Sequence, residues 1–448
     1  MSSRGSTYKR CGCTVVVDGK RRQLGSKCPK LKRPGGGWNP KHGTWTFKIY
    51  VEGALGKTER VVRGKFATQG EAQAAMDDLK AKAARGVVVT HRLTVGQFLA
   101  EWIDAKTDVK EGTAHSYRRH IQLYFEPLIG HILLADLRVH HVAAMLAEVG
   151  KVPGARGGGP ATRQRVRASL RTALGDAVRQ GLITVNPAAL VKLESGKRPK
   201  ALIWTEQRVE RWQAEVDKLT KNGKITKRAR QQVPTPSPVM VWTADQLGQF
   251  LDHAASDRLY ALWHLIAFRG LRRGEACGLE WPEVDLKRGT IAIVRERIVV
   301  GGRVVEDTPK SDAGDRSIAL DEGTVEALRA HRKKQLVDRM MWGDAWVESG
   351  KVFTREDGSP LHPNDVTDQF QDDLIIGAGL PPIRLHDLRH GAASLMMAAG
   401  VDLKIIQETL GHSNIALTAN TYTRIFPEVA TAAAEATAAV VPRARRDA

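Results

Sequence analysis

The sequence predicts a mainly α, multi-domain chain with small antiparallel β-sheets, an α+β fold. Apolar residues recur at helical spacing through most of its 448 residues. Short alternating runs, the mark of half-buried strands, occur near residues 44–63 and 290–320. At this length, with 42 % hydrophobic residues, the chain can bury two or three separate cores.

Taken in order, the elements fall into four stretches. Residues 1–90 read as a basic N-terminal module. Positions 1–43 look irregular, rich in Cys, Gly, Pro and Lys. Residues 44–51 (TWTFKIYV) alternate as a strand, and a Gly-bearing turn leads to a second strand at 58–63. Residues 66–86 follow as a helix, with Thr68 as N-cap and Gly86 as stop. The result is a small strand–strand–helix, ββ(β)α, module with a basic sheet of the kind that can read DNA.

Residues 91–195 read as helical. Val95, Phe98, Leu99, Trp102 and Ile103 fall at helical spacing. Tyr117, Ile121, Tyr124 and Phe125 share a face, with Arg118, Arg119 and His120 between them. A Gly-rich break at 153–160 precedes a helix in which Arg163, Arg165, Arg167 and Arg171 accompany Val166, Leu170 and Leu174. One basic helix is usually a solvated face; several together favour a bundle that grips DNA. Residues 196–240 read as a linker with an insert, in which IWTEQRV (203–209) partly repeats as VWTADQL (241–247). Residues 241–448 read as a mostly α domain with a tail. It holds a strand at 290–300, a Gly-Gly turn, a strand at 303–309 and a third at 315–320.

Charge narrows the function. The 69 Lys and Arg outnumber the 49 Asp and Glu, a net +20. Of this, +13 lies within residues 1–90, which hold 19 basic against 6 acidic residues. Such a surplus points to a polyanion partner, because neutralising phosphates releases counterions. The N-terminus has no apolar signal segment. No apolar run approaches the roughly 18–20 residues that cross a bilayer. Four cysteines in 448 residues argue against a disulfide framework. The expected location is the cytoplasm, in association with the nucleoid. Cys11, Cys13, Cys28 and His42 are residues of metal-ligating type, but their CxC start departs from the usual CxxC knuckle. No metal and no cofactor are assigned to the chain on sequence grounds.

The chemistry concentrates near the C-terminus, in HDLRH (386–390) and LGHSNIALTANTYTR (410–424). Tyr422 carries a phenol whose ordinary pKa is about 10, so it needs cationic neighbours or a base to act as a nucleophile. His386 and Arg389 are three apart and share a helix face. Arg389 offers a planar fork that matches two phosphate oxygens. His412 follows a Gly that can end a helix, and can donate to a third oxygen or exchange a proton. Upstream, Arg272 in GLRRGE follows a strongly apolar helix, and Glu275 can orient its guanidinium. Lys310 in TPKS sits at a hairpin end, where it could protonate a departing sugar oxygen; Lys287 is another lysine nearby. Each residue type alone is more often structural. Together they suit one task, which is to hold a phosphodiester while a phenol oxygen attacks it.

This set resembles the tyrosine recombinase, or phage integrase, family. The matching positions are Arg272 in GLRRGE, Lys310 in TPKS, His386 and Arg389 in HDLRH, His412 in LGHS and Tyr422 in TANTYTR. All six types stand in the family's order. The resemblance covers 241–439, makes 91–195 similar to the family's core-binding (SAM-like) domain, and likens 1–90 to the arm-type DNA-binding domain of mobile-element integrases. It implies a site-specific recombinase that integrates, and excises, a phage or conjugative element without cofactor or ATP. Tyr422 would form a 3′-phosphotyrosine while the arginines and histidines stabilise the phosphoryl charge. It further implies double-stranded attachment sites as substrate and a homotetramer on two duplexes. The Ala-rich 430–441 segment could dock on a neighbour, and an excisionase and a host bending protein are accessory partners the family admits. The rivals are a topoisomerase-like relaxing enzyme, a DNA-binding regulator that has lost catalysis, and a chromosome-dimer resolvase.

Overall fold

The computed structural model describes residues 5–18, 20–52, 58–84, 93–155, 157–194, 196, 201–219, 230, 232–308 and 315–412. The chain divides into two compact units, Met1–Lys197 and Arg198–Ala448.

The first unit opens with four antiparallel strands, β1 (Gly5–Val17), β2 (Lys20–Gly25), β3 (Thr44–Glu52) and β4 (Thr58–Phe66), in the order β2-β1-β3-β4. The irregular stretch expected at 1–43 therefore contains two strands. They escaped notice because Val15, Val16 and Val17 are all exposed, so no inward–outward alternation marks them. The readable signal was the Asp-Gly pair after the valine run; Asp18 adopts φ +52° to turn the chain. In β3, Phe47, Ile49 and Val51 alternate inward. They pack on Met76 and Leu79 of α1 (Gln69–Ala84), forming a small core. Thr68 caps α1 as expected, its Oγ1 accepting from the Glu71 amide at 3.2 Å. Gly86 lies outside the described residues.

A helical core follows, built by α2 (Val95–Ala105), α3 (Glu111–His120), α4 (Glu126–Ile129), α5 (Val139–Glu148), α6 (Pro160–Arg179) and α7 (Pro187–Leu190). Thr94 and Gln97 close a capping box on α2. The helix expected from the shared face of Tyr117, Ile121, Tyr124 and Phe125 is present, but a π turn at Ile121–Phe125 joins α3 to α4. Trp102 ties α2 to α6 by donating to Asp176 Oδ2 at 2.6 Å, a buried bond.

In the second unit, the stretch expected as a linker with an insert is folded wherever it is described. Its β5 (Leu202–Ile203) pairs in parallel with β6 (Met240–Val241). Trp204, Trp212 and Val216 on and beside α8 (Glu206–Lys218), with Val233, join the same core as Trp242 and Phe250. The partial repeat has a structural counterpart. Trp204 and Trp242 follow the two paired strands, and their indole N–H groups donate to successive carbonyls, Pro382 O at 3.0 Å and Pro381 O at 2.9 Å.

The rest of this unit runs α9 (Ala244–Ala254), α10 (Tyr260–Arg269), α11 (Arg273–Gly278), β7 (Val284–Asp285), β8 (Thr290–Ile293), β9 (Glu296–Val300), β10 (Arg303–Asp307), β11 (Arg316–Ala319), α12 (Glu322–Trp342), α13 (Pro363–Asp368), α14 (Ile375–Gly377), α15 (Leu385–Ala398) and α16 (Leu403–Leu410). Helix α10 is buried from Ala261 to Ala267. The single strand expected at 290–300 is two. Strand β8 lies between β11 and β7, whereas β9 pairs with β10. The chain changes sheets where Arg295 turns to Glu283 (2.6 Å) and Glu280 (3.1 Å). The third strand expected at 315–320 is β11, antiparallel to β8. Ile203 and Val241 of the parallel pair pack with Ala393, Ile406 and Leu410 in a separate small core. That small core anchors α15 and α16 beneath the site described next.

Candidate active site

The site is built where α10, α15 and α16 end or begin beside one another. Helix α10 stops at Gly270, which takes the left-handed conformation (φ +66°). A Cβ there would also stand 2.6 Å from Leu410 Cδ2 and 3.4 Å from Arg389 Cγ, so only glycine suits both the turn and the close approach. The chain then places Arg272 as N-cap of α11. Glu275, three residues on, accepts from the Arg272 amide (2.9 Å) and from its Nη1 (2.5 Å). This is the orienting role expected of Glu275, and it is buried at 1 % exposure.

Helix α16 ends at Gly411, also left-handed (φ +62°). Its last carbonyls carry the negative end of the helix dipole and lack helical partners. Three guanidinium groups fill that need. Arg316 Nε donates to Thr409 O at 2.8 Å, Arg389 Nη2 to Leu410 O, and Arg272 Nη2 to Gly411 O at 3.0 Å. Arg389 also donates to Gly270 O at 2.6 Å, which locks the end of α10 to the end of α16. Just beyond, the His412 amide donates to Gln407 O (3.0 Å) and Gln407 Nε2 donates back to His412 O (2.8 Å). His412 is thereby held against the arginines.

Helix α15 supplies the remaining groups. Its N-cap Arg384 forks onto buried Asp387. His386 is exposed at the surface, Arg389 is buried at 2 % exposure, and His390 stands edge-on to His386 with ring centroids 5.2 Å apart. Arg272 remains more open, with 36 % of its side chain exposed.

The arrangement keeps its imidazoles neutral. Burial and then the Arg389 and Arg272 charges push His412 down to about 3. Burial and His386 push His390 down to about 4. Crowding by the surrounding protein and the Arg389 charge also lower His386, despite its outward position. Burial would raise Glu275, but the hydrogen bonds and charge of Arg316, with Arg272, outweigh it and hold the carboxyl below its usual range. A cationic pocket with neutral imidazoles can bind one phosphodiester and donate hydrogen bonds to its oxygens.

Four sequence-expected residues thus lie in one neighbourhood: Arg272, His386, Arg389 and His412. Lys310 and Tyr422, with the 430–441 segment, lie outside the described residues. Sequence reading missed Arg316 and left His390 without a role. Arg316 stands in DRSIAL, which was read only as a strand, although an inward-turned arginine beside a buried Glu is a charge that needs a purpose. Lys287 makes a turn contact, its amide donating to Asp285 Oδ1 at 3.0 Å. Cys277 is a buried core thiol, pushed up to about 12 by burial.

Known proteins resemble this chain in sequence and in fold. Residues 241–428 match the Phage integrase family, and residues 94–147 match the Phage integrase, N-terminal SAM-like domain. The chain is 24 % identical over 419 residues to a tyrosine recombinase XerC-like protein of Caldanaerobacter subterraneus subsp. tengcongensis, covering 88 % of this chain and 96 % of that one. It is 22 % identical to an integrase of Saccharopolyspora erythraea, covering 72 % and 77 %. Among solved structures, the Tn1549 transposon integrase in complex with transposon right end DNA shares the fold, with a TM-score of 0.57, 21 % identity, and coverage of 77 % of this chain and 100 % of that one. With both its helical and its C-terminal regions matched, the chain belongs to the phage integrase family of tyrosine recombinases.

Proposed function

We propose that this protein is the site-specific integrase of a phage or conjugative element, acting on double-stranded attachment sites through a 3′-phosphotyrosine at Tyr422. The observation that carries the reading is the convergence of Arg272, Arg389 and His412 on the end of α16. In the proposed reaction, the Tyr422 phenol oxygen bonds to phosphorus and the bond from phosphorus to the 5′ oxygen breaks. The phenol proton passes to solvent as the cationic pocket favours phenolate, Lys310 protonates the departing 5′ oxygen, and neutral His412 donates a hydrogen bond to a phosphoryl oxygen. Arg272, Arg389 and His386 stabilise the phosphoryl oxygens. The 5′ hydroxyl of a partner strand then reverses the step, so bond energy is conserved and no cofactor is consumed. Strand exchange between two duplexes calls for a homotetramer, with an excisionase and a host bending protein as accessory partners.

The test is a nicked attachment-site substrate that traps the covalent intermediate. Wild-type protein should yield a DNA–protein adduct stable to detergent, and Tyr422→Phe should bind DNA without forming one. Adducts persisting in Tyr422→Phe would overturn the assignment. Relaxation of supercoiled plasmid without exchange between paired sites would favour the topoisomerase-like reading instead.

A further inference from the structure

Cys11, Cys13, Cys28 and His42 come from three separate places in the N-terminal sheet module. Cys11 and Cys13 stand on β1, Cys28 starts the short 3₁₀ turn Pro29–Leu31, and His42 precedes β3. On a strand, residues two apart face the same side, which is what a CxC pair needs to present two sulfurs together. The strand pairing is irregular between Cys11 and Thr14, which re-aims the backbone there.

These residues meet. One ligand atom from each lies within 4.8 Å of all the others. Nε2 of His42 is 3.5 Å from Cys13 Sγ and 3.6 Å from Cys28 Sγ. Zinc bonds of about 2.3 Å to sulfur and about 2.05 Å to nitrogen, set at the tetrahedral angle, separate S and N by roughly 3.6 Å. The observed spacing therefore suits ligands sharing one ion. All three cysteines are free thiols, so no disulfide accounts for the cluster. Three sulfurs and one imidazole form a closed structural zinc set, and no carboxylate in the group would favour a hard cation.

We infer that Cys11, Cys13, Cys28 and His42 bind a structural zinc ion that clips β1 to the connection between β2 and β3. The fold explains the need. That connection places only Cys28 and Leu31 in buried apolar positions, and the module's core is a handful of residues on β3 and α1. Lys9 braces the same connection by donating to the carbonyls of Asn39 (2.5 Å) and His42 (3.2 Å). A module so lightly packed gains its shape from a metal crosslink. The inference is independent of the recombination chemistry.

The test is elemental analysis of the purified full-length protein. One zinc per chain is expected, with nearly complete loss in Cys28→Ser and His42→Ala, recovery in His42→Cys, and no change in Cys277→Ser. Cobalt added to the zinc-stripped wild-type chain should give the visible spectrum of a tetrahedral thiolate site, a readout that does not depend on any variant folding. Wild-type protein lacking zinc after incubation with the metal, a disulfide mapped among Cys11, Cys13 and Cys28, or zinc retained in Cys28→Ser would each overturn the inference.

Discussion

Arg316 and Glu275 form a two-point ion pair in the floor of the site, with Nη2 3.0 Å from Oε2 and Nη1 3.2 Å from Oε1. Their side chains are 7 % and 1 % exposed. Removing one partner leaves a buried charge poorly compensated. Arg316→Ala should therefore cost about 3–5 kcal/mol of stability and also loosen the Arg272 fork that Glu275 orients. A urea midpoint within error of wild type would show that the pair carries no such burden.

Glu275→Gln separates orientation from charge. The amide keeps the shape but loses the anion that Arg272 and Arg316 share. We expect cleavage of a nicked substrate to slow by about 10–100-fold, less than the roughly 10²–10³-fold typical of deleting a transition-state donor. Affinity for DNA should change little. Single-turnover cleavage and a binding titration together decide it.

The two conserved-charge replacements should behave differently. Arg272→Lys loses the planar fork at an open position and should lose strand transfer with a modest stability change. Arg389→Lys also breaks the clamp between Gly270 O and Leu410 O, so it should lose both activity and a few kcal/mol of stability, about the value of two buried charge-assisted hydrogen bonds. Equal thermal midpoints for the two variants would contradict this division.

His390 and His412, at about 4 and about 3, are neutral in the folded chain well below the ordinary value of 6.5. The unfolded chain binds protons first, so these groups contribute stability above pH 6.5 that is lost as pH falls toward 4. Each adds a slope of about 1.4 kcal/mol per pH unit while it is charged only in the unfolded state. His390→Asn should flatten the fall in urea midpoint between pH 6.5 and 4.5. An unchanged slope would mean that the histidine titrates as it does in water.

Gly270→Ala should destabilise by more than the roughly 1 kcal/mol that a left-handed non-glycine residue usually costs. Its new Cβ meets Leu410 Cδ2 at 2.6 Å. Gly411→Ala has the same backbone strain at φ +62°, and its effect should fall harder on cleavage, because His412 follows directly. Comparing thermal midpoints with cleavage rates for the two variants checks the order.

Much of this protein was legible in one dimension. Helical periodicity located α2 and α6, since an amphipathic stripe is a local property of 3.6-residue spacing. The strong alternation of Phe47, Ile49 and Val51 marked β3, and the Gly301–Gly302 pair marked the β9–β10 hairpin, because turn geometry demands those residues. The grouping of Arg272, His386, Arg389 and His412 was expected from residue type and order. What remained hidden depended on contacts between distant segments. The valine end of β1 shows no alternation because Val15, Val16 and Val17 are exposed; the insert joins a core that only the folded chain assembles; and Arg316 enters the site because β11 brings it beside Glu275, 41 residues earlier. Sequence determines which side chains exist and which faces they share within an element. Only packing decides which carbonyls they satisfy, and so it was the fold that turned three scattered arginines toward the end of one helix and gathered three thiols and an imidazole around one point.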